Sequence, residues 1–434
     1  MTPDLILESI RTRTARAGVI GLGYVGLPLL IEFAKAGFDV LGFDVNQARV
    51  DAIGRGESYL EDVAADDIRK VVAGGRLRTT TGFDELSNLD TVNICVPTPL
   101  RKTKDPDLSF VVAAVDEIAR HLRPGQLIIL ESTTYPGTVE EVVKPKLEAT
   151  GLLAGKDFFL AFSPERVDPG NVEWPTSRIP KVVGGIDEDS TRLATALYEQ
   201  IIEKVVPVSS ARVAEMVKLL ENTFRAVNIG LANEFALMCR DLDVDVWEVI
   251  EAAETKPFGF MPFYPGPGLG GHCVPIDPFY LSWKARQVGF ESRFIELAGH
   301  INGGMPRHVV QQISDALNSR SRSINGSIVH LFGVAYKPGV SDTRESPALD
   351  ILKLLLERGA VVRYTDPFVE VVTTGDLTLE AMTLEEALAG GIDCAVITTA
   401  HAQIDYAEIA RRVPVVVDTR NALKRVKAGH IFRL

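Results

Sequence analysis

Short apolar runs ended by glycine, proline or small polar residues recur along the first third of the chain. Ala17–Gly21 is an apolar run that breaks into glycines, and a segment of helical length separates it from a second run, Asp39–Phe43. Thr91–Val96 and Leu127–Leu130 follow, each closed by Pro, Ser or Thr. Strands alternating with helix-length segments predict a parallel, doubly wound sheet. The period then changes. Met216, Leu219, Leu220, Thr223, Val227, Leu231, Phe235 and Met238 recur at helical spacing, with Gly230 the one interrupting glycine and no proline. This predicts a single helix over Ala211–Cys239, about seven or eight turns long and too long for a crossover. Thr255–Pro278 is crowded with Pro, Gly and aromatics and reads as an ordered loop. Alternation resumes near Ser327, with strands expected at Ile328–Val334, Val361–Thr365, Cys394–Thr398 and Pro414–Asp418 and a helix at Pro347–Arg358.

The expected fold class is therefore α/β: two Rossmann-like doubly wound parallel-sheet domains joined by a long central helix. The boundaries fall at 1–207, 208–305 and 306–434. Three domains suit 434 residues at about 100–200 residues each. Such a layout places a ligand cleft between the two α/β lobes.

Composition narrows the function classes. The chain is 46% apolar and 24% charged, as in ordinary globular proteins, and carries a net charge of −12. That balance argues against nucleic acid and anionic membranes as partners, while leaving room for a local basic pocket. No apolar run approaches the ~20 residues of a membrane span, and the N-terminal segment has no apolar signal core. Four cysteines without a CxxC pair make neither a disulfide framework nor a zinc site. A cytoplasmic protein with reduced thiols and no metal is expected.

Gly21-Leu22-Gly23-Tyr24-Val25-Gly26 is a GxGxxG motif between a strand and a helix. Gly21 permits the tight turn, Gly23 lets backbone approach a pyrophosphate, and Gly26 lets strand and helix pack closely. The helix N-terminus then receives the anion. Asp44 lies 18 residues past Gly26 at the end of the second strand, where an acid receives the ribose hydroxyls. The same carboxylate repels a 2′-phosphate, so NAD rather than NADP is the expected cofactor.

The most unusual segment runs from Tyr264 through Gly266, Gly268, Gly270, Gly271 and His272 to Cys273, with Asp277 and Pro278 just beyond. Four glycines ahead of one cysteine let backbone and substrate approach closely, with N–H groups near the sulfur to favour thiolate. Cys95, Cys239 and Cys394 lie in apolar patterns and read as small buried hydrophobes. His272 is left out of the catalytic set, since adjacent side chains in an extended loop point apart.

With these motifs the chain resembles the UDP-glucose/UDP-mannuronate dehydrogenases, the nucleotide-sugar dehydrogenase family. The resemblance runs from about Ala17 to Leu423. It rests on GLGYVGLP at Gly21–Pro28, VPTP at Val96–Pro99, EST at Glu131–Thr133 and SPER at Ser163–Arg166, then on Lys218 with Asn222, GGHC…D at Gly270–Asp277, and AYKPGVSDTRES at Ala335–Ser346. It implies oxidation of C6 of a UDP-sugar from CH2OH to carboxylate with NAD, for polysaccharide biosynthesis. It assigns Cys273 as the nucleophile that captures the aldehyde. Lys218 and Asn222 stabilise the C6 oxygen, and Asp277 with a water takes the proton. The thioester is hydrolysed by water activated by Glu165 or by Asp277, and Thr133 joins the catalytic set. Cofactor contacts are implied for Gly21, Gly23, Tyr24, Val25, Gly26, Asp44, Arg49, Pro97, Thr98, Thr133 and Arg344. Substrate contacts are implied for Glu165, Arg166, Lys218, Asn222, Tyr264, Gly268, Gly270, Lys337 and Arg420. Lys337 and Arg420 reach the UDP moiety, and Arg344 the NAD pyrophosphate. By the residues alone, Lys218 and Asn222 are equally a solvated i,i+4 pair, Glu165 a helix-dipole acid and Asp277 a turn former.

The form GPGxGGHC resembles the UDP-N-acetylhexosamine branch, and Thr255–Tyr264 looks most like the UDP-N-acetylglucosamine 6-dehydrogenases. UDP-N-acetylmannosamine and UDP-glucose are the alternative substrates. A hydroxyacid dehydrogenase performing one oxidation is the competing enzyme class, and a non-enzymatic NAD-binding sensor a third reading. The former needs no Cys273 with its glycine loop, and the latter neither the Lys218–Asn222 pair nor a second diphosphate site. The long apolar helix suggests a homodimer, or an assembly of dimers.

Overall fold

The first apolar runs form strands β1 (Arg16–Ile20), β2 (Asp39–Phe43), β3 (Leu77–Thr80), β4 (Thr91–Ile94), β5 (Leu127–Leu130), β6 (Phe159–Phe162), β7 (Lys181–Gly185) and β8 (Val205–Pro207) in this computed structural model. It describes residues 2–60, 63–101, 105–167, 174–375 and 377–434. These strands make one eight-stranded sheet in the order β3-β2-β1-β4-β5-β6-β7-β8. Strands β1–β6 run parallel, whereas β7 pairs antiparallel with β6, and β8 follows β7. The chain order reverses direction between β1 and β4, which is the switch point where open α/β sheets leave a crevice at their carboxyl ends. Apolar clusters cover the two faces, one built on residues such as Val19, Leu30, Phe33 and Val40, the other on Ile20, Leu41, Val92 and Val115.

The C-terminal sheet contains β9 (Ile328–Phe332), β10 (Val361–Thr365), β13 (Cys394–Ile397), β14 (Val416–Asp418) and β15 (Ile431–Arg433), with a separate hairpin of β11 (Val371–Thr374) and β12 (Leu377–Glu380). The order β10-β9-β13-β14-β15 is all parallel, again with a switch point beside its first strand. Two sheets of the expected class are thus present. The reversed strands β7 and β8 and the β11–β12 hairpin were outside the expectation.

By its internal contacts the chain divides into Met1–Glu221 with Phe279–Gly289, and Asn222–Pro278 with Phe290–Leu434. The long helix runs from Ala211 to Asp241 and so contributes to both units. Its buried side is lined by small and polar residues, Ala214, Glu215, Lys218, Asn222, Ala226, Asn233 and Ala236. Most of the apolar residues that announce its period in sequence face outward: Met216, Leu220, Leu231, Phe235 and Met238 are exposed, as is Phe224. A second long helix, Arg293–Asn318, continues through Gly303, Gly304 and a buried Pro306. Those breakers hide it from a reading by period. Asn302 on this helix anchors it, donating to the Ala226 carbonyl and accepting from Asn233. Among the described residues no helix is long and apolar enough to cross a membrane.

Candidate active site

In the first unit the sequence motifs converge on one edge of the large sheet. Gly21 follows β1, Asp44 follows β2, Pro97 and Thr98 follow β4, Glu131–Thr133 follow β5, and Glu165 and Arg166 follow β6. All lie past the carboxyl ends of strands β1–β6, where the switch point opens.

The glycine turn has the shape a pyrophosphate needs. Gly21 adopts φ +91°, and a Cβ there would lie 2.6 Å from the Cys95 carbonyl oxygen. A Cβ on Gly26 would lie 1.8 Å from the Gly21 oxygen, so strand and helix can touch only with glycine at that position. Gly23 has no atom within 4 Å of its Cβ direction and fronts open space. The helix Gly26–Ala36 begins three residues later, and a helix N-terminus next to such a space favours an anion. Asp44 is buried, and its carboxylate accepts from the Leu22 and Asn46 amides at 2.9 Å each. Arg49 meets it at 3.2 Å and lies over the Tyr59 ring. Tyr59 in turn donates to the Leu22 carbonyl. Tyr59 therefore braces both the glycine turn and Arg49, and no sequence motif marked it. An open cradle beside a buried acid at the next strand fits a dinucleotide with an unmodified ribose.

A charged network lies behind the ends of β5 and β6. Glu131 is 1% exposed, and its carboxylate accepts from Asn93 at 2.7 Å, Tyr198 at 2.6 Å and Lys181 at 2.8 Å. Lys181 also reaches Glu165 at 3.2 Å. The Glu165 carboxylate accepts from the Arg166 and Val167 amides as well. Burial pushes this carboxyl up, but the Lys181 charge and the two amides outweigh it and hold Glu165 below the usual carboxylate range. Residues 164–167 are not helical, so Glu165 is not an acid in the first turn of a helix. Lys218 on the long helix donates to the Glu165 carbonyl at 2.6 Å, and Arg166 pairs with Glu221 one turn farther along. Lys218 and Glu165 are thus brought together, and past β4 the Thr98 carbonyl accepts a bond from the Tyr280 hydroxyl.

The second unit gathers a different set. Asn222 is buried and donates to Asp277 at 2.5 Å. The Cys273 carbonyl accepts from the Ile276 and Asp277 amides, closing a single turn that leads into the helix Asp277–Gln287. Cys273 is partly exposed, whereas Cys95, Cys239 and Cys394 are buried, and burial pushes the Cys95 and Cys394 thiols up. The glycine loop is moulded on the C-terminal sheet domain. A Cβ on Gly266 would meet the Arg420 guanidinium at 2.6 Å, and one on Gly270 would meet Tyr336 at 2.7 Å. Gly268 lies against Pro347, and Gly271 donates to the Arg344 carbonyl at 3.0 Å. The Gly266 amide is held by Asn233.

Arg420 donates through Nε to the Thr398 carbonyl. Burial pushes its guanidinium down to about 10, and no carboxylate among the described residues pairs with it. Lys337 stands over the Tyr336 ring, 5.8 Å from its centroid. Two cations, one without an acidic partner, thus sit beside the glycine loop in the same unit. That is the charge pattern of a site for an anionic ligand. The Arg344 guanidinium closes on Asp342, and Tyr264 stacks on Trp247 while bonding Glu254. The loop carrying Lys337 is pinned from below: buried His401 bonds Asp366 with one ring nitrogen and the Gly339 amide with the other.

Comparison with known proteins identifies the family. Three profiles of the UDP-glucose/GDP-mannose dehydrogenase family match: its NAD binding domain at residues 15–202, its central domain at 212–303 and its UDP binding domain at 330–425. A UDP-N-acetyl-D-mannosamine dehydrogenase of Pyrococcus horikoshii is 37% identical over 424 residues, covering 96% of this chain and 98% of its own. A UDP-N-acetyl-D-glucosamine 6-dehydrogenase of Pseudomonas aeruginosa is 38% identical over 356 residues, covering 82% of this chain and 83% of its own. The solved structure of a UDP-D-ManNAc dehydrogenase from P. horikoshii superposes with a TM-score of 0.88 at 36% identity, covering 96% of this chain and 98% of that one. Motifs, geometry and full-length similarity together place the chain in the UDP-glucose/GDP-mannose dehydrogenase family, as an NAD-dependent oxidoreductase acting on a UDP-sugar.

Proposed function

We propose that the chain oxidises C6 of a UDP-N-acetylhexosamine from CH2OH to carboxylate through a covalent intermediate on Cys273. The observation that carries this reading is the setting of Cys273. It is a partly exposed thiol in a glycine loop built against Arg420, which has no carboxylate partner among the described residues, while the other three thiols are buried. The assignment of 1–207 to NAD, 208–305 to the central part and 306–434 to the UDP-sugar belongs to the same reading, as does a cytoplasmic setting.

Bound NAD supplies the hydride acceptor for both oxidations. The protein does the rest. Lys218 and Asn222 lie one helical turn apart and stabilise negative charge on the C6 oxygen while its proton passes through water to Asp277. The Cys273 sulfur then bonds to C6 of the aldehyde and the C6 oxygen gains a proton, giving a thiohemiacetal. Loss of the second hydride, with the hydroxyl proton, leaves a thioester. Water attacks that carbonyl, its proton passes to Glu165, and the C6–S bond breaks to return the thiolate. A hydroxyacid dehydrogenase needs no such cysteine.

Asp44 is proposed to set the cofactor preference. Asp44→Ala is expected to raise KM for NAD about tenfold, the scale of a lost charge-assisted hydrogen bond. With Arg49 released from its partner, weak NADP turnover should appear. Steady-state kinetics with both cofactors checks this, and equal use of NADP by the wild type contradicts it.

For the sugar, UDP-N-acetylglucosamine is proposed to give the highest kcat/KM, on the resemblance of Thr255–Tyr264. The C2 epimer, UDP-N-acetylmannosamine, is the second reading, favoured by the names of several relatives that cover nearly the whole chain. Measuring NADH formed per sugar consumed with three UDP-sugars tests both levels. Two NADH per sugar supports the four-electron reaction; one sinks it. A preference for UDP-glucose overturns the hexosamine branch alone.

The outward stripe Val213, Met216, Leu220, Phe224, Leu231, Phe235 and Met238 is 40–63% exposed along one side of the long helix. So long an apolar seam on a protein of net charge −12 is proposed to be covered by a second copy. Light scattering is expected to show a dimer or an assembly of dimers. Leu220→Glu with Phe235→Glu should dissociate it, and a wild-type monomer at micromolar concentration contradicts the proposal.

A further inference from the structure

The most heavily buried charges in the first unit belong to residues that the proposed chemistry leaves unused. Lys181 opens β7, and β7 is the strand that reverses direction. Its register, Phe162 opposite Gly184 and Ala161 opposite Gly185, continues to set Lys181 opposite Glu165. The reversal thereby brings the start of β7 to the edge where β5 and β6 end. There the Lys181 ammonium bridges Glu131 at 2.8 Å and Glu165 at 3.2 Å, with its side chain 6% exposed and that of Glu165 12%.

We propose that Lys181 is a positioning residue for the reaction: it fixes the Glu165 carboxylate in place and keeps it ionised, ready to take the proton of the hydrolytic water. The inference rests on Glu165 being that base. Glu131 has a separate part. Its carboxylate, saturated by Asn93, Tyr198 and Lys181, fixes the ammonium from the far side so that Lys181 cannot swing away from Glu165.

A buried carboxylate without a cation takes up a proton, and a protonated Glu165 can accept none from water. Among the described residues, the charged or titratable groups around it come from several elements. Lys181 comes from β7 and Glu131 from the end of β5. Lys218 reaches the Glu165 carbonyl from the long helix, and Arg166 is spent on Glu221. Cys95, beyond β4, and Tyr198 are both pushed well above their ordinary values by burial, so neither carries charge at neutral pH. Lys181 is the cation closest to the carboxylate, and its own protonated form is favoured because two acids outweigh its burial. Removing it must raise the pH at which Glu165 ionises. Activity that depends on ionised Glu165 is then lost at higher pH than in the wild type.

The test is the pH dependence of kcat with NAD and the UDP-sugar that the wild type uses best. Lys181→Met alone leaves two acids facing each other and is prone to misfold, so the informative variant is Lys181→Met with Glu131→Gln, which removes the ammonium and its second partner together. Lys181→Arg keeps the charge. The acid limb of the kcat profile is expected to move up by about one to three pH units in the double variant, with turnover recovering in alkali, and to stay near its wild-type position in Lys181→Arg. UDP-sugar binding should be unchanged. Glu165→Gln separates the two levels of argument. If it retains turnover, Glu165 is not the base and the underlying reading falls. If it is inactive while the double variant shows an unmoved acid limb, or a loss equal at every pH, Lys181 has no such role and the inference alone is overturned.

Discussion

Cys273→Ser is expected to lose at least about a thousandfold in four-electron turnover, equivalent to ~4 kcal/mol in the activation barrier, while binding NAD and UDP-sugar nearly as the wild type does. The thiolate is a strong nucleophile toward an aldehyde and then a good leaving group from an acyl intermediate. A serine hydroxyl of similar size is scarcely ionised, and its ester hydrolyses more slowly than a thioester. If acylation of the serine still occurs, the ester should accumulate and add mass to the intact protein. Cys273→Ala goes further. With no sulfur to bond C6, the second oxidation should be absent, leaving at most a slow and reversible first one. The wild type should release no aldehyde that hydroxylamine can trap. Substantial four-electron turnover by Cys273→Ala removes the covalent mechanism.

Much of this is legible in the sequence because the site stands on strand ends. Asp39–Phe43 and Leu127–Leu130 are strands with the bounds their apolar runs predict, and the motif residues past them inherit their position from the sheet. The glycine roles follow from sterics: Gly21 and Gly26 occupy positions that any Cβ would block. What escapes the sequence is whatever depends on pairing between distant segments. Lys181 begins an apolar run whose reversed direction no local pattern encodes, so its meeting with Glu165 and Glu131 is invisible until the register is known. Tyr59 braces the glycine turn from a polar stretch without periodicity. The long helix is legible in extent but not in facing. Its period marks an apolar stripe, and the stripe lies outward because the buried side is given to Lys218, Asn222 and Asn233, residues a hydrophobicity reading assigns to solvent. Function reverses the usual pattern there.

Arg420→Met is expected to separate binding from stability. A guanidinium pushed down to about 10 by burial, partly exposed, with the Thr398 carbonyl and the Gly266 backbone around it and no carboxylate among the described residues, is a largely desolvated charge held without a counter-ion. Such a group costs stability unless a ligand neutralises it. A diphosphate does so with charge-assisted, bidentate geometry. Methionine keeps the apolar stem and removes the charged head together with its bond to Thr398. The KM for UDP-sugar should therefore rise about a hundredfold, ~3 kcal/mol, with kcat falling far less. The melting temperature of the unliganded variant should equal or exceed that of the wild type. Ligand linkage gives an independent readout: saturating UDP should raise the wild-type melting temperature by several degrees and leave Arg420→Met almost unmoved. A variant that melts well below the wild type shows that Arg420 is paired within the fold, and one that still responds fully to UDP shows that the diphosphate is held elsewhere.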